Sequence, residues 1–166
     1  MRIAAAKTSD IDGVMRLIAD VVARLRQEGS DMWDERYPRR EFFMEDISKC
    51  SLYLAWEGSE IVGVMALDSE QSPEYREVEW KVATDKVLVV HRLAVSPNAQ
   101  GMGIASRMMD FAEDKARKEG AKAMRLDAYT GNPAALALYE SRGYTNAGTV
   151  KFPWRTLPFN CYEKAL

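Results

Sequence analysis

The chain has 166 residues, 47% of them hydrophobic, with a net charge of −2 and an isoelectric point near 5.6. That length fills one hydrophobic core, so a single domain over residues 1–166 is expected, and the acidic balance leaves no electrostatic footprint for nucleic acid or an anionic membrane surface. No apolar run reaches the roughly 18 residues of a membrane span, and Met1-Arg2-Ile3 leads into polar residues without a signal-peptide core, so a cytoplasmic location is expected.

A short strand at residues 2–5 comes first. Thr8-Ser9-Asp10 then offers N-caps to a helix whose apolar positions Ile11, Val14, Leu17, Ile18, Val21, Val22 and Leu25 recur at helical spacing, with Gly29 as its stop. A second, shorter helix is predicted over residues 40–49. The loop between the two is unusually aromatic, holding Trp33 and Tyr37 beside Met32, Asp34 and Pro38. Residues 52–56 and 60–67 flank Glu57-Gly58-Ser59 and read as a hairpin. Residues 68–86 are polar, contain Pro73, Tyr75 and Trp80, and read as a long excursion with a bent strand around 77–80; long loops in compact domains tend to carry function.

Residues 87–95 form a nearly continuous apolar strand of the central, buried kind. A helix over 103–119 follows, with Ile104, Met108, Phe111, Ala112 and Ala116 on one side and Gly120 as terminator. A strand at 123–128, a helix at 133–142, a strand at 144–149 and a last strand near 159–164 complete the order. This is a mixed α/β pattern with a partly parallel centre and antiparallel ends.

Two segments carry chemistry. Residues 89–106 read VVHRLAVSPNAQGMGIAS, joining the apolar strand to a glycine-rich turn and then to a helix start. Side chains are absent at Gly101 and Gly103, so a ligand can approach the main chain, and the first N–H groups of the helix have no internal partners; anions bind at such places. A plain strand-to-helix turn uses the same glycines. Downstream, residues 126–144 read LDAYTGNPAALALYESRGY, with Asn132 and Pro133 opening a helix that carries Tyr139 and stops at Gly143. Spacing alone assigns Tyr139 to a packed helix stripe and Asn132 to an N-cap.

The run Gln100-Gly101-Met102-Gly103-Ile104-Ala105 resembles the Q/R-x-x-G-x-G/A signature of the GNAT family of N-acetyltransferases, with Gln100 where Arg is common. The run from Asn132 to Tyr144 is similar to the family's second block, N-x-x-A-x-x-L-Y-E-x-x-G-F/Y. The resemblance spans about residues 1–150. It implies a central, mostly antiparallel sheet flanked by helices and splayed between its fourth and fifth strands, with coenzyme A in the gap and acetyl-CoA as co-substrate. It further implies that main-chain atoms of Leu93, Ala94 and Val95 pair with the pantetheine arm, and that residues from Gln100 through Gly101, Met102, Gly103, Ile104 and Ala105 to Ser106 cradle the pyrophosphate. By the same resemblance Asn132 touches the coenzyme arm, Tyr139 donates a proton to the leaving sulfur, and Arg142 reaches the 3'-phosphate. An exposed Arg142 complementing the helix dipole remains the plain alternative. A homodimer is possible, since dimers are common in the family.

An amine of pKa about 10 must lose a proton before it attacks, which calls for a base. His91 lies two residues before Leu93 and is read as sharing its strand face, and the imidazole pKa of about 6.5 suits the task. Glu79, beside Trp80, and Asp127, at the end of the fifth strand, are the carboxylate rivals; either also suits a substrate ammonium. The acceptor pocket is drawn from Trp33, Asp34, Tyr37, Trp80, Asp127 and Tyr129, with Phe152 and Trp154 as further candidates, because aromatic rings and a carboxylate suit a cationic amine. The same rings also serve as packing over sheet ends. Cys50 and Cys161 are read as reduced and structural, and one histidine without a CxxC motif offers no zinc site. The expected activity is acetyl transfer to a small primary amine. A protein N-terminus or lysine as acceptor, or a non-catalytic acyl-CoA sensor, are the alternatives.

Overall fold

Apolar side chains at helical spacing between residues 11 and 25 produce α1 (Ile11–Gln27) in the computed structural model, which describes all 166 residues. Before it lie β1 (Arg2–Ala5) and a 3-10 turn, Thr8–Asp10; after it come α2 (Arg40–Ser48), β2 (Leu52–Glu57), β3 (Glu60–Asp68), β4 (Val87–Val95) and α3 (Ile104–Lys118). The chain ends with β5 (Ala123–Tyr129), α4 (Pro133–Ser141), β6 (Thr145–Val150) and β7 (Phe159–Ala165). The seven strands take the order β1-β2-β3-β4-β5-β7-β6. β4 and β5 run parallel, whereas β1–β2, β2–β3, β5–β7 and β6–β7 are antiparallel. No helix is long and apolar enough to cross a membrane.

The chain resolves into two compact units, Met1–Leu67 with Arg92–Phe111 and Asp68–His91 with Ala112–Leu166. In the first, Val14, Leu17, Ile18 and Val21 of α1 pack with Phe43 of α2, Leu54 of β2, Val64 of β3 and Ala94 of β4. Burying each Val, Leu, Ile or Phe side chain among these is worth about 1.5–3 kcal/mol. Gly63 has a packing reason: a Cβ there would stand 2.7 Å from Met108 Sδ and 3.3 Å from Ile104 Cγ2, so its bare backbone lets the first turns of α3 settle on β3. In the second unit, Tyr75, Val78, Val87, Val89, Ala123, Val150 and Cys161 form the core, with Trp80 and Phe159 packed against it.

Several local expectations are corrected. Asp10 does not cap α1 through its side chain; its carboxylate instead accepts from the Lys7 N–H at 2.8 Å, closing the preceding 3-10 turn. The excursion holds no bent strand at 77–80 but a 3-10 helix at Pro73–Glu77, in keeping with proline at a first helical position. Cys50 is exposed, with φ 55°, in the turn before β2, and Cys161 is buried on β7; both are free thiols.

Candidate active site

β4 runs into a tight passage. After Val95 a 3-10 turn at Pro97–Ala99 leads to Gln100, and Gly101 and Gly103 adopt φ of 79° and 73°, conformations that side chains disfavour. A Cβ added at either glycine would meet nothing within 4 Å, so these glycines answer to backbone shape and an open surface rather than to a neighbouring side chain. Gln100, Gly101, Met102 and Gly103 are exposed, while Ile104 is buried and anchors the helix start. Arg107 N–H donates to the Gly103 carbonyl at 3.1 Å as α3 begins, so the amides of residues 101–106 precede the helical ladder, at the end where the helix dipole is positive. Ala105 and Ser106 are half-buried.

The strand leading to this loop is interrupted. Arg92 has φ 51°, unusual for a residue with a side chain, and this breaks the alternation of faces. His91 and Leu93 therefore do not share a face through simple two-residue parity, which corrects the sequence reading. The Arg92 guanidinium is held by the buried Asp46 carboxylate of α2, through Nε at 2.9 Å and Nη2 at 2.6 Å, and its Nη1 donates to the Tyr37 hydroxyl at 3.3 Å. Leu93 and Val95 follow half-buried, with Ala94 buried between them, and the Ser96 N–H donates to the Val62 carbonyl at 2.9 Å.

In the second unit, the Asn132 side chain accepts from the Ala135 N–H at 3.1 Å and caps α4, with Pro133 in the first turn, as the sequence predicts. This helix carries Tyr139, only 6% exposed, with its ring against Tyr144 and Tyr162 at centroid distances of 6.0 and 5.9 Å. The Tyr139 hydroxyl has no protein hydrogen-bond partner. Every fully buried side-chain polar atom in the molecule is satisfied, so this hydroxyl is the part of Tyr139 that stays accessible. Burial, reinforced by the negative charge of Asp127, pushes its pKa well above the usual phenol range. Arg142 is half-buried, not exposed as the plain alternative had it: its Nε and Nη2 donate to the buried Glu113 at 3.2 and 3.1 Å, and the Lys164 ammonium joins at 2.7 Å. Burial opposes ionisation of Glu113, but these cations hold its pKa below the ordinary value.

The parallel register of β4 on β5 runs from Val87–Ala123 to Val90–Leu126, and Asp127 is the first residue of β5 beyond it. Its Oδ2 accepts from the Tyr75 hydroxyl at 2.7 Å. Burial raises the Asp127 pKa, against the lowering effect of that hydrogen bond. His91 Nε2 lies 3.2 Å from Asp68 Oδ1 and 3.1 Å from the Glu70 carbonyl. Both are acceptors, so hydrogen bonding assigns the proton of the neutral ring to Nε2 and leaves the lone pair on Nδ1. Glu79 is exposed and lacks the apolar surroundings that would ready it as a base.

Most of the aromatic residues read from the sequence as an acceptor wall have packing roles. Trp33, 9% exposed, belongs to the core of the first unit and meets Tyr37 edge-on at 6.5 Å. Tyr129 is buried against Phe159 at 5.1 Å, and Phe152 meets Phe159 at 5.0 Å. Trp80 lies under the Arg125 guanidinium at 4.3 Å, and its Nε1 donates to the Tyr75 carbonyl at 3.0 Å. Trp154 is 80% exposed. Sequence reasoning assigned no role to Asp46, Arg92, Asp68 or Tyr75. The one local signal was the density of acids around Tyr75 in the excursion; the pairing partners lie far away in the chain. No group of three or more His, Cys, Asp or Glu side chains is arranged to hold a metal ion.

Comparison with known proteins gives a consistent pattern. The family model described as Acetyltransferase (GNAT) family matches residues 18–144. The Bacillus subtilis N-acetyltransferase YhfO is 27% identical over 144 residues, which is 87% of this chain and 89% of that protein. Streptothricin acetyltransferase of Escherichia coli is 26% identical over 130 residues, covering 77% of this chain and 67% of that protein. The structure of yncA from Salmonella typhimurium with its cofactor acetyl-CoA superposes with a TM-score of 0.74 at 19% identity, covering all of this chain and 94% of the other.

Proposed function

The chain belongs to the GNAT family of acetyltransferases, and on that premise we propose that it transfers the acetyl group of acetyl-CoA by direct attack of a small primary amine, without a covalent enzyme intermediate. Acetyl-CoA supplies an activated thioester. The main-chain amides of residues 101–106 would hold its pyrophosphate, since they precede the α3 ladder on a loop kept open by Gly101 and Gly103. The backbone of Leu93, Ala94 and Val95, just past the break at Arg92, would pair with the pantetheine arm, and an amide there would stabilise charge on the carbonyl oxygen.

The amine nitrogen forms the new C–N bond as the C–S bond breaks. One proton leaves the ammonium before attack, to His91 Nδ1 directly or through water, and passes on to solvent; the second leaves the nitrogen after attack and is taken by the Nδ1 lone pair so freed. Tyr139 gives its phenolic proton to the departing sulfur and regains one from solvent. Burial makes Tyr139 a weaker acid, but exclusion of water also makes the thiolate a stronger base, so the transfer is driven as charge develops. Arg142 and Glu79 have no part in this scheme.

The observation that carries the reading is that one chain holds both an open glycine loop ahead of a helix and a buried phenol whose hydroxyl no protein group occupies. A small acceptor is favoured by the likeness to streptothricin acetyltransferase over 77% of the chain. The deciding experiment measures thiol release from acetyl-CoA across polyamines, amino acids, aminoglycosides and short peptides, with coenzyme A binding by calorimetry on the wild type and Gly103→Val. Amine-dependent release, and binding weakened at least tenfold in the variant, are expected. Tight binding with no release from any acceptor would instead identify a sensing module, and unaltered binding by Gly103→Val would overturn the loop assignment.

A further inference from the structure

The fully buried acids of this protein are all paired with cations, whereas the half-buried Asp127 is not. Asp46 takes two bonds from Arg92, Glu163 lies 3.0 Å from Arg125, and Glu113 lies within 3.1 Å of both Arg142 and Lys164. Asp127 has no Arg or Lys partner. Its hydrogen bond comes from a neutral hydroxyl, that of Tyr75. The groups that act on it electrostatically are Tyr75 and Glu74 from the 3-10 turn, His91 from β4, Tyr139 from α4 and Cys161 from β7. Of these only His91 can become positive, and its Nε2 is already turned to Asp68 and the Glu70 carbonyl.

A desolvated carboxylate without a countercharge is costly, and folded proteins normally supply one. We infer that the missing cation is the substrate: Asp127 supplies the countercharge for an acceptor that arrives as an ammonium ion, and Tyr75 orients the carboxylate that receives it. This rests on the acetyl-transfer reading above and specifies its acceptor class.

The geometry is built for that role. Asp127 keeps some exposed surface and follows the last residue of β5 in register with β4, where a ligand can reach the strand. Tyr75 is fixed from behind. Its ring lies 5.1 Å from that of Trp80, Trp80 is held under Arg125, and Glu163 accepts from Arg125 and from the Lys81 and Val82 N–H groups at 2.9 and 3.1 Å. The buried ion pair thus braces the excursion, and the excursion places one hydroxyl on Asp127. The charge of Asp127 also helps keep the Tyr139 proton in place; an ammonium seated there cancels that charge and makes Tyr139 a better acid as the acceptor arrives.

The test reads binding apart from turnover. Calorimetry on the full-length protein saturated with coenzyme A would compare pentylamine, cadaverine and benzylamine with pentanol and benzyl alcohol, for wild type, Asp127→Asn and Tyr75→Phe. Asn keeps the acceptor for the Tyr75 hydroxyl, and melting curves report whether each variant folds. The expected result is amine binding in the wild type that weakens at least tenfold in Asp127→Asn and by a smaller factor in Tyr75→Phe, with alcohol binding unmoved. Equal amine affinity in wild type and Asp127→Asn, or no detectable amine binding to the wild type, overturns the proposal. Charge-selective binding without acetyl transfer would fail the transferase reading and leave the Asp127 assignment standing.

Discussion

Arg92 and Asp46 form a two-bond ion pair, at 2.9 and 2.6 Å, that ties α2 to the point where β4 breaks its alternation with φ 51°. Both side chains are largely buried, and the Tyr37 hydroxyl accepts a further bond from the guanidinium at 3.3 Å. The pair therefore holds a backbone shape that a side chain would otherwise avoid. Asp46→Asn leaves a buried guanidinium without its countercharge and should cost about 3 kcal/mol, since breaking such pairs costs roughly 3–5 kcal/mol. At that cost the melting temperature falls by roughly 6–12 °C. Coenzyme A affinity should fall as well, because residues 93–95 lose their fixed course. An unchanged melting temperature in Asp46→Asn would show the pair to be idle.

Tyr139→Phe separates chemistry from stability. The hydroxyl has no protein partner to lose, so the melting temperature should stay the same or rise slightly. Turnover should drop by about 100-fold or more, the usual scale for loss of a general acid. Coenzyme A affinity should not move. Full turnover in the variant would remove Tyr139 from the reaction.

Asp127→Asn should make the protein more stable while impairing its function. The folded state raises the Asp127 pKa through burial, so the wild type is favoured most when this carboxyl is protonated, and that advantage is lost as pH rises through the folded pKa. Asn has no charge to bury. The variant's melting temperature should therefore exceed that of the wild type at pH 7, and the difference should shrink towards pH 4. A lower melting temperature for the variant at neutral pH, with the gap independent of pH, would contradict the unpaired-carboxylate assignment.

Much of the fold was legible in the chain. Helical spacing in residues 11–25 located α1, the apolar run at 87–95 located β4, and the Asn132-Pro133 pair located the start of α4. The two glycines of the cofactor loop were readable for the same reason: φ near 75° at Gly101 and Gly103 is a local property that glycine permits. Family membership followed from these short motifs. The excursion was less legible, because Tyr75 and Trp80 take their places from Asp127 and Arg125 on a distant strand.

The sequence by itself determined the order of elements, the open loop ahead of α3 and the cap of α4, all of which depend on neighbours within a few residues. Tertiary structure alone decided which aromatic rings became core, as for Trp33 and Tyr129, and that Glu113 engages Arg142. It also decided that the half-buried Asp127 went without an Arg or Lys partner. Asp46 meets Arg92 across 46 positions and Asp127 meets Tyr75 across 52, and no local pattern encodes such pairings. Burial and charge compensation are set by what the folded chain brings together, and so they appear only once it has folded.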